Sequence, residues 1–155
     1  MASENYVKLI RGFCELVKID DCDTVLEQGS VAVNGIGFSF VSVGPVANEE
    51  LLVYCDFGEL PEHRQHDICR RLLEINVFLS SGMLPAAFAL NPESSHVLLS
   101  YRTLLAQTDA ETLANSLKLF VEQVESWRSG FFLDSRDNGW SMAGEAGGRV
   151  SRVSV

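Results

Sequence analysis

Hydrophobic residues recur every three or four positions in the first segment of the chain, from Val7 to Val17. This spacing places them on one face of a helix. Ser3 belongs to the residue types that cap helix N-termini, and the three aspartates within residues 20–23 are typical of a polar turn. The pattern predicts an amphipathic helix over residues 4–18 that ends at this turn.

The period then changes to two. Apolar residues alternate with other residues through 31–41 and again through 51–57, which is typical of strands. Asn34-Gly35 interrupts the first run and suits a type I′ turn, in which both central residues have positive φ. The pattern predicts three consecutive antiparallel strands.

A second helix is predicted in the middle of the chain. Pro61 is suited to its first position, and the apolar residues from Ile68 to Leu79 cover a broad face, as in a helix that is buried on more than one side. Ser80-Ser81-Gly82 is a typical helix end.

The last predicted elements are strands at 86–91 and 96–102 and a helix that runs to about Trp127. Thr108-Asp109-Ala110-Glu111 has the spacing of a capping box and opens this helix. Residues 130–155 contain many glycines and serines and no sustained periodicity, which indicates a flexible tail.

These elements predict an α+β fold. Their order is α-β-β-β-α-β-β-α, with a twisted antiparallel sheet packed by three helices. Residues 1–129 form the domain in this prediction, and residues 130–155 form the tail.

Both faces of the predicted sheet carry apolar residues. Ile36, Phe38 and Phe40 share one face, while Leu52 and Tyr54 lie opposite the other apolar residues of the third strand. Two interpretations stay open here. Helices and a neighbouring strand bury both faces, or part of the surface is reserved for a second copy of the chain or for a client protein.

Composition narrows the class of partner. The chain of 155 residues has 46% hydrophobic and 21% charged residues, with 21 acidic against 12 basic side chains and a formal net charge of -9. This charge disfavours nucleic acid and anionic lipid as partners. The chain lacks the roughly 20 continuous apolar residues that cross a bilayer and a recognisable secretory signal, so no membrane insertion and a cytoplasmic location are expected.

One group of residues has the spacing of a metal site. His63, His66 and Cys69 are spaced by three and partly share a helix face, but two solvated histidines near a buried cysteine are the more ordinary interpretation. Glu49 and Glu50 are predicted to lie at a soluble strand edge. We expect no catalytic residues, no metal and no cofactor.

The run Asp56-Phe57-Gly58-Glu59-Leu60-Pro61, followed by Leu72-Leu73-Glu74-Ile75-Asn76, resembles the class I type III secretion chaperones of the Tir-chaperone family. The likeness extends over about residues 4–130 and includes the order of the elements and a terminal helix that ends near Trp127. The resemblance implies a bacterial homodimer without catalytic activity. Such a dimer holds the N-terminal segment of a secreted effector in extended form without ATP and is able to dock to the secretion apparatus.

The resemblance also implies two sets of site residues. The client-binding set comes from the first helix and the first strands and comprises Val7, Ile10, Val31, Val33, Ile36, Phe38 and Phe40. The dimer-interface set comes from the middle helix and the late strands and comprises Leu72, Ile75, Asn76, Leu79, Phe88 and Leu90.

Two alternatives stay open at this point. Asn76 either sets the register of a dimer through a buried amide or makes a capping contact at a helix end. The chain as a whole is either such a chaperone or another acidic adaptor or regulator with the same fold.

Overall fold

The computed structural model describes residues 2–82 and 85–134. In this part of the chain, four helices and five strands form an α+β fold, which confirms the predicted class. The helices are α1 (Glu4–Val17), α2 (Cys22–Gln28), α3 (Gln65–Ser81) and α4 (Ala110–Gly130). The strands are β1 (Ser30–Val33), β2 (Ile36–Val43), β3 (Glu50–Glu59), β4 (Ala86–Leu90) and β5 (His96–Leu104).

Helix α1 begins as its sequence predicts. Ser3 is the N-cap, and its hydroxyl accepts a hydrogen bond from the backbone N–H of Tyr6 at 3.1 Å. The side chains that α1 buries include Ile10, Phe13 and Cys14, so its apolar face lies against the core.

Helix α2 was not predicted. The residues Asp20, Asp21 and Asp23 were expected to form only a turn, but Asp21 caps a seven-residue helix by accepting the backbone N–H of Thr24 at 3.1 Å. Gly29 ends this helix with φ 63°. The prediction of three helices was wrong because a helix of two turns contains too few residues to show an apolar period.

The sheet has the order β1-β2-β3-β5-β4, and every neighbouring pair is antiparallel. Asn34 and Gly35 have φ of 51° and 76°, which confirms the predicted hairpin turn. The first three strands therefore form the predicted meander, and β5 lies between β3 and β4.

One face of the sheet contains all the deeply buried strand residues that the structure describes. Along β2 and β3, buried and more accessible residues alternate, and edge-to-face aromatic contacts join the buried face to the helices. The ring centroids are 6.0 Å apart for Phe13 and Phe40, 6.0 Å for Phe57 and Trp127, and 5.6 Å for Tyr101 and Phe120. The core therefore lies between this face and the helices.

Two predicted helix starts were wrong. Helix α3 begins at Gln65, not at Pro61, and Arg64 precedes it with φ 67° and no side-chain capping bond. Helix α4 is capped by Asp109, which accepts the backbone N–H of Thr112 at 2.7 Å. The hydroxyl of Thr108 instead donates to the Leu104 carbonyl at 2.9 Å, so it does not take part in the predicted capping box.

The chain continues to pack against the domain just beyond α4. The ring of Phe131 lies 5.0 Å from that of Trp127, and the ring of Phe132 lies 6.3 Å from that of Phe88. Residues 131–133 thus contact the core although they were assigned to the tail. Residues 135–155 of the predicted tail lie outside the described residues.

Candidate protein-binding surfaces

The predicted client-binding residues fall into two groups. Ile10, Ile36, Phe38 and Phe40 are at most 4% exposed and belong to the hydrophobic core. Val7, Val31 and Val33 are half-buried. Only the second group has surface that another chain is able to contact without opening the domain.

The sheet face opposite the helices carries a second set of apolar side chains, and we call it the open face. Its residues follow from the antiparallel register, because directly paired residues share a face. Tyr54 pairs with Ser39 and Ser100, and Leu52 pairs with Val41 and Arg102. Further described members of this face include Ala32, Gly37, Asp56, Ala87, Ala89 and Leu98, with Ser30, Val43, Glu50 and Leu104 at its margins.

The open face remains accessible in the described structure. Val41 is 42% exposed, and Leu52, Tyr54 and Leu98 are half-buried by their neighbours on the sheet. The sequence indicated apolar residues on both faces. Within residues 2–82 and 85–134, the helices pack on one face only, which favours the interpretation that the other face is reserved for another chain.

A cleft of about 630 Å³ lies on the open face, where β1, β2, β3 and β5 meet. Gly37 and Ala32 leave space in the cleft because they have little or no side chain, and Tyr54 and Leu98 also line it. Asp56 contributes the only carboxylate among the described lining residues.

Hydrogen bonds hold the Asp56 carboxylate in place. Its Oδ1 accepts the backbone N–H of Gly58 at 2.9 Å, next to the β-bulge of β3. The Nδ1 of His96 lies 2.9 Å from Oδ1 and 3.0 Å from Oδ2. No local pattern in the sequence indicates this pair, because the two residues are 40 positions apart and only the β3–β5 register brings them together.

A different exposed stripe runs along α3. Leu73 and Val77 are 66% and 51% exposed and line a groove of about 950 Å³ together with His66 and Cys69. Leu73 and Val77 are four residues apart and therefore lie on the same face of the helix.

The predicted dimer-interface residues lie mostly in the core. Leu72, Ile75 and Leu79 form the buried face of α3, and Phe88 is 7% exposed. Leu90 is 48% exposed. The register of the helix thus places the predicted residues of α3 on the face that contacts its own sheet, and the exposed stripe is the adjoining one.

The contacts of Asn76 do not match the suggested helix-end cap. Its Oδ1 accepts the backbone N–H of Phe88 at 2.7 Å, and its Nδ2 donates to the Phe88 carbonyl at 3.2 Å. The side chain therefore pairs with the outer edge of β4 instead of capping a helix end.

Glu49 was predicted to lie at a soluble edge, and this was wrong. It is 8% exposed, and it accepts hydrogen bonds from the hydroxyls of Ser3, at 2.6 Å, and Ser42. Glu50, in contrast, forms a surface ion pair with Arg102 at 3.3 Å, as its predicted position suggests. Glu49 thus links the start of α1 to β2.

Burial controls the chemistry of two cysteines. It raises the pKa of Cys14 and of Cys55 to about 12, so both thiols stay protonated at neutral pH. All four cysteines are free. Over residues 2–82 and 85–134, no group of three or more potential metal ligands comes together, and His63 and His66 are exposed.

The helices in this part of the chain include none that is long and apolar enough to cross a membrane.

Comparison with known proteins identifies one family. The model of the Tir chaperone protein (CesT) family matches residues 8–128, which is more than half of the chain. A comparison with curated proteins finds no match.

Three solved structures have a similar fold. The ExsC-ExsE complex matches with a TM-score of 0.60 and 20% identity, over 82% of this chain and 92% of the other. The Yersinia pestis type III secretion chaperone SycH, in complex with a stable fragment of YscM2, has a TM-score of 0.55 and 19% identity, over 78% and 98%. The HopA1-SchA chaperone-effector complex has a TM-score of 0.56 and 17% identity, over 81% and 94%.

Proposed function

The chain belongs to the Tir chaperone protein (CesT) family and is a type III secretion chaperone, and we propose that it binds the N-terminal segment of a secreted effector. The bound segment stays soluble and extended until it is secreted. The proposal rests on one observation above all, which is the apolar open face that no described helix covers. Apolar surface of this kind is typical of interaction sites.

The client contacts combine side-chain and main-chain recognition. Leu52 and Val41 offer apolar contacts on the open face. The half-buried Val31 and Val33 of β1 lie on the other face, where they pair with Phe38 and Ile36. Strand β1 is an edge strand that pairs with β2 alone among the described strands. A client strand that pairs with β1 would gain backbone hydrogen bonds that do not depend on its sequence.

The chaperone acts as a homodimer in this proposal. The exposed α3 stripe of Leu73 and Val77, with Leu90 of β4, is the surface that supports it. A two-fold dimer would bury the same stripe from both subunits. The interface therefore uses the outer stripe of α3 and not Leu72, Ile75 or Leu79, which fill the core.

We further propose that the protein works in the bacterial cytoplasm as a binding protein without catalysis or ATP. The net charge of -9 favours neutral or basic client segments. Release of the client belongs to the secretion apparatus, to which the loaded chaperone would dock.

The test uses the full chain in its native host. Deletion of its gene should lower the cytoplasmic level and the secretion of at least one effector, and that effector should co-purify with the chain. Limited proteolysis of the complex should leave an N-terminal effector segment protected. If no secreted protein depends on the chain while a non-secreted protein binds it, the chain is an adaptor or regulator and the proposal fails.

Two variants with the same change in charge test whether the effector binds to the open face. Leu52→Glu places a carboxylate on the open face and should abolish effector binding. Asn115→Glu makes the same charge change at an exposed position of α4 and should leave binding intact. Equal binding by both variants would contradict the assignment of the client to the open face.

A further inference from the structure

The open-face cleft has the composition of a site for a cationic side chain. Its lining combines a carboxylate, an aromatic ring and an aliphatic side chain, contributed by Asp56, Tyr54 and Leu98. Lysine and arginine have a long aliphatic stem and a charged end, so they match a site with apolar walls and one acidic group.

The carboxylate is both fixed and accessible. The Gly58 N–H and the His96 imidazole hold its orientation, and the Asp56 side chain is still 41% exposed. An ionised carboxylate has about four lone-pair sites, so it is able to accept further hydrogen bonds from a ligand. A fixed acceptor loses little conformational freedom when a cation binds.

The space above the carboxylate comes from Gly37. This residue directly neighbours Asp56 across β2 and β3, and a Cβ atom built on it would lie 3.9 Å from the Asp56 Cβ. That distance is an ordinary van der Waals contact. The glycine at this position is therefore not required by the backbone, and its effect is to keep the cleft open.

We propose that this cleft binds a lysine or arginine side chain of the extended client segment, with Asp56 as its counter-charge. The inference rests on the proposed function and adds a specificity determinant to it. The stem of the client side chain lies along Leu98, and its cationic group lies at Asp56 within reach of the Tyr54 ring. The negative charge of the whole chain attracts the same client chemistry.

The probe is a synthetic heptapeptide of alternating valine and threonine with one central arginine, acetylated and amidated at its ends. A second peptide has norleucine at the centre, and a third has glutamate. Binding is followed by the backbone amide signals of Gly37, Ser39 and Leu98 in two-dimensional NMR. All three peptides are measured in the same buffer.

The arginine peptide should shift these signals saturably and bind about tenfold more tightly than the norleucine peptide, as expected for one charge-assisted pair. The glutamate peptide should bind most weakly. Asp56→Asn retains an acceptor for the Gly58 N–H but removes the charge, so it should abolish the preference for arginine.

Gly37→Val should fill the cleft without backbone strain, and it should weaken the binding of the arginine peptide by about the same factor of ten. Ala87→Val adds the same methyl groups on β4, outside the cleft, and should have no effect. Equal affinity for the arginine and norleucine peptides, or an unchanged preference in Asp56→Asn, would overturn the proposal.

This outcome is independent of the test of the proposed function. The peptides need no effector, so a chain that binds arginine in the cleft but supports no secretion would retain the site and lose the chaperone role. Conversely, a chain that still binds its effector as Asp56→Asn would retain the chaperone role and lose the proposed cation site.

Discussion

The Asn76 side chain of α3 forms two hydrogen bonds with the backbone of Phe88 in β4, one through Oδ1 at 2.7 Å and one through Nδ2 at 3.2 Å. A carboxamide has the donor and acceptor of a peptide group, so it substitutes for one residue of a neighbouring strand. The contact covers part of the outer edge of β4, which is an edge strand of the sheet. Edge strands that stay uncovered invite pairing with other chains.

We therefore expect Asn76→Leu to destabilise the domain by about 1–3 kcal/mol, because the N–H and carbonyl of Phe88 lose the two hydrogen bonds with Asn76. Urea unfolding measures the loss. Asn76→Asp retains the acceptor and loses the donor, and it should also be less stable than the wild type. Wild-type stability of Asn76→Leu would show that the contact is dispensable.

The α3 stripe gives a prediction about assembly. Leu73→Arg combined with Val77→Arg should convert a dimer into a folded monomer, since both residues are more than half exposed and carry little of the core. Light scattering measures the mass, and circular dichroism checks the fold. Leu16→Arg is the control for one added surface charge, because Leu16 is 51% exposed on α1 and lies outside the stripe. A dimer that survives the double substitution excludes this stripe as the interface.

Substitution by alanine should destabilise the domain more at a core position of the β1–β2 hairpin than at a half-buried one. Phe38 is 1% exposed, so Phe38→Ala should cost about 3–5 kcal/mol through lost burial and a cavity. Val31 is its half-buried partner in the β1–β2 register, and Val31→Ala should lower the free energy of unfolding by less. Chemical denaturation of both variants provides the comparison. Similar losses at the two positions would contradict the assignment of Phe38 to the core.

Glu49 is expected to contribute more to the stability of the domain than its neighbour Glu50. Glu49→Ala leaves the half-buried Ser3 and Ser42 hydroxyls without this acceptor and should lower the free energy of unfolding by about 1–3 kcal/mol. Glu50→Ala removes only a surface pair with Arg102 and should cost at most about 1 kcal/mol. Thermal unfolding measures the loss of stability in each variant. An equal loss would show that the burial of Glu49 does not increase its contribution to stability.

The helix caps predict part of the acid sensitivity. Hydrogen bonds from Thr24 and Thr112 lower the pKa of Asp21 and Asp109, respectively, below the usual 3.8. Because each pKa is lower in the folded state, the ionised caps stabilise the fold above the unfolded-state pKa, and this stabilisation is lost as the pH falls through the folded-state value.

Asparagine at both positions should therefore flatten the fall in stability below about pH 4. Urea midpoints between neutral and acidic pH test this expectation. Glu93→Gln, at an exposed loop position, is the control for the loss of a carboxylate elsewhere. If stability falls at acidic pH in the double variant as steeply as in the wild type, the caps do not have this role.

Local patterns were sufficient where the structure depends on neighbouring residues. The α1 cap at Ser3 and the Asn34-Gly35 turn occur as predicted, because each depends on contacts over a few residues. Competition between nearby groups caused the errors. Thr108 bonds the preceding Leu104 carbonyl and leaves the capping of α4 to Asp109, and a capping pattern alone does not distinguish between these choices.

The candidate site was less predictable. Apolar spacing shows which residues of α3 share a face, but not which face contacts the sheet, so Leu72 was assigned to an interface and Leu73 is the exposed residue. Likewise, alternation in β2 assigns Phe38 to a face without stating whether helices or a client cover it. Both assignments depend on how the helices pack.

The sequence by itself determined the α+β class, the order of the strands along the chain and the acidic charge, because periodicity, turn chemistry and composition are local or summed properties. The family followed from the resemblance of the runs 56–61 and 72–76 to its members. Tertiary structure decided which sheet face the helices cover, that Asn76 pairs with Phe88, and that Asp56 meets His96 above the space left by Gly37. These relationships join residues from different elements. They arise only when the strands take their register and the helices take one side of the sheet, since burial of the apolar helix faces selects a single packing.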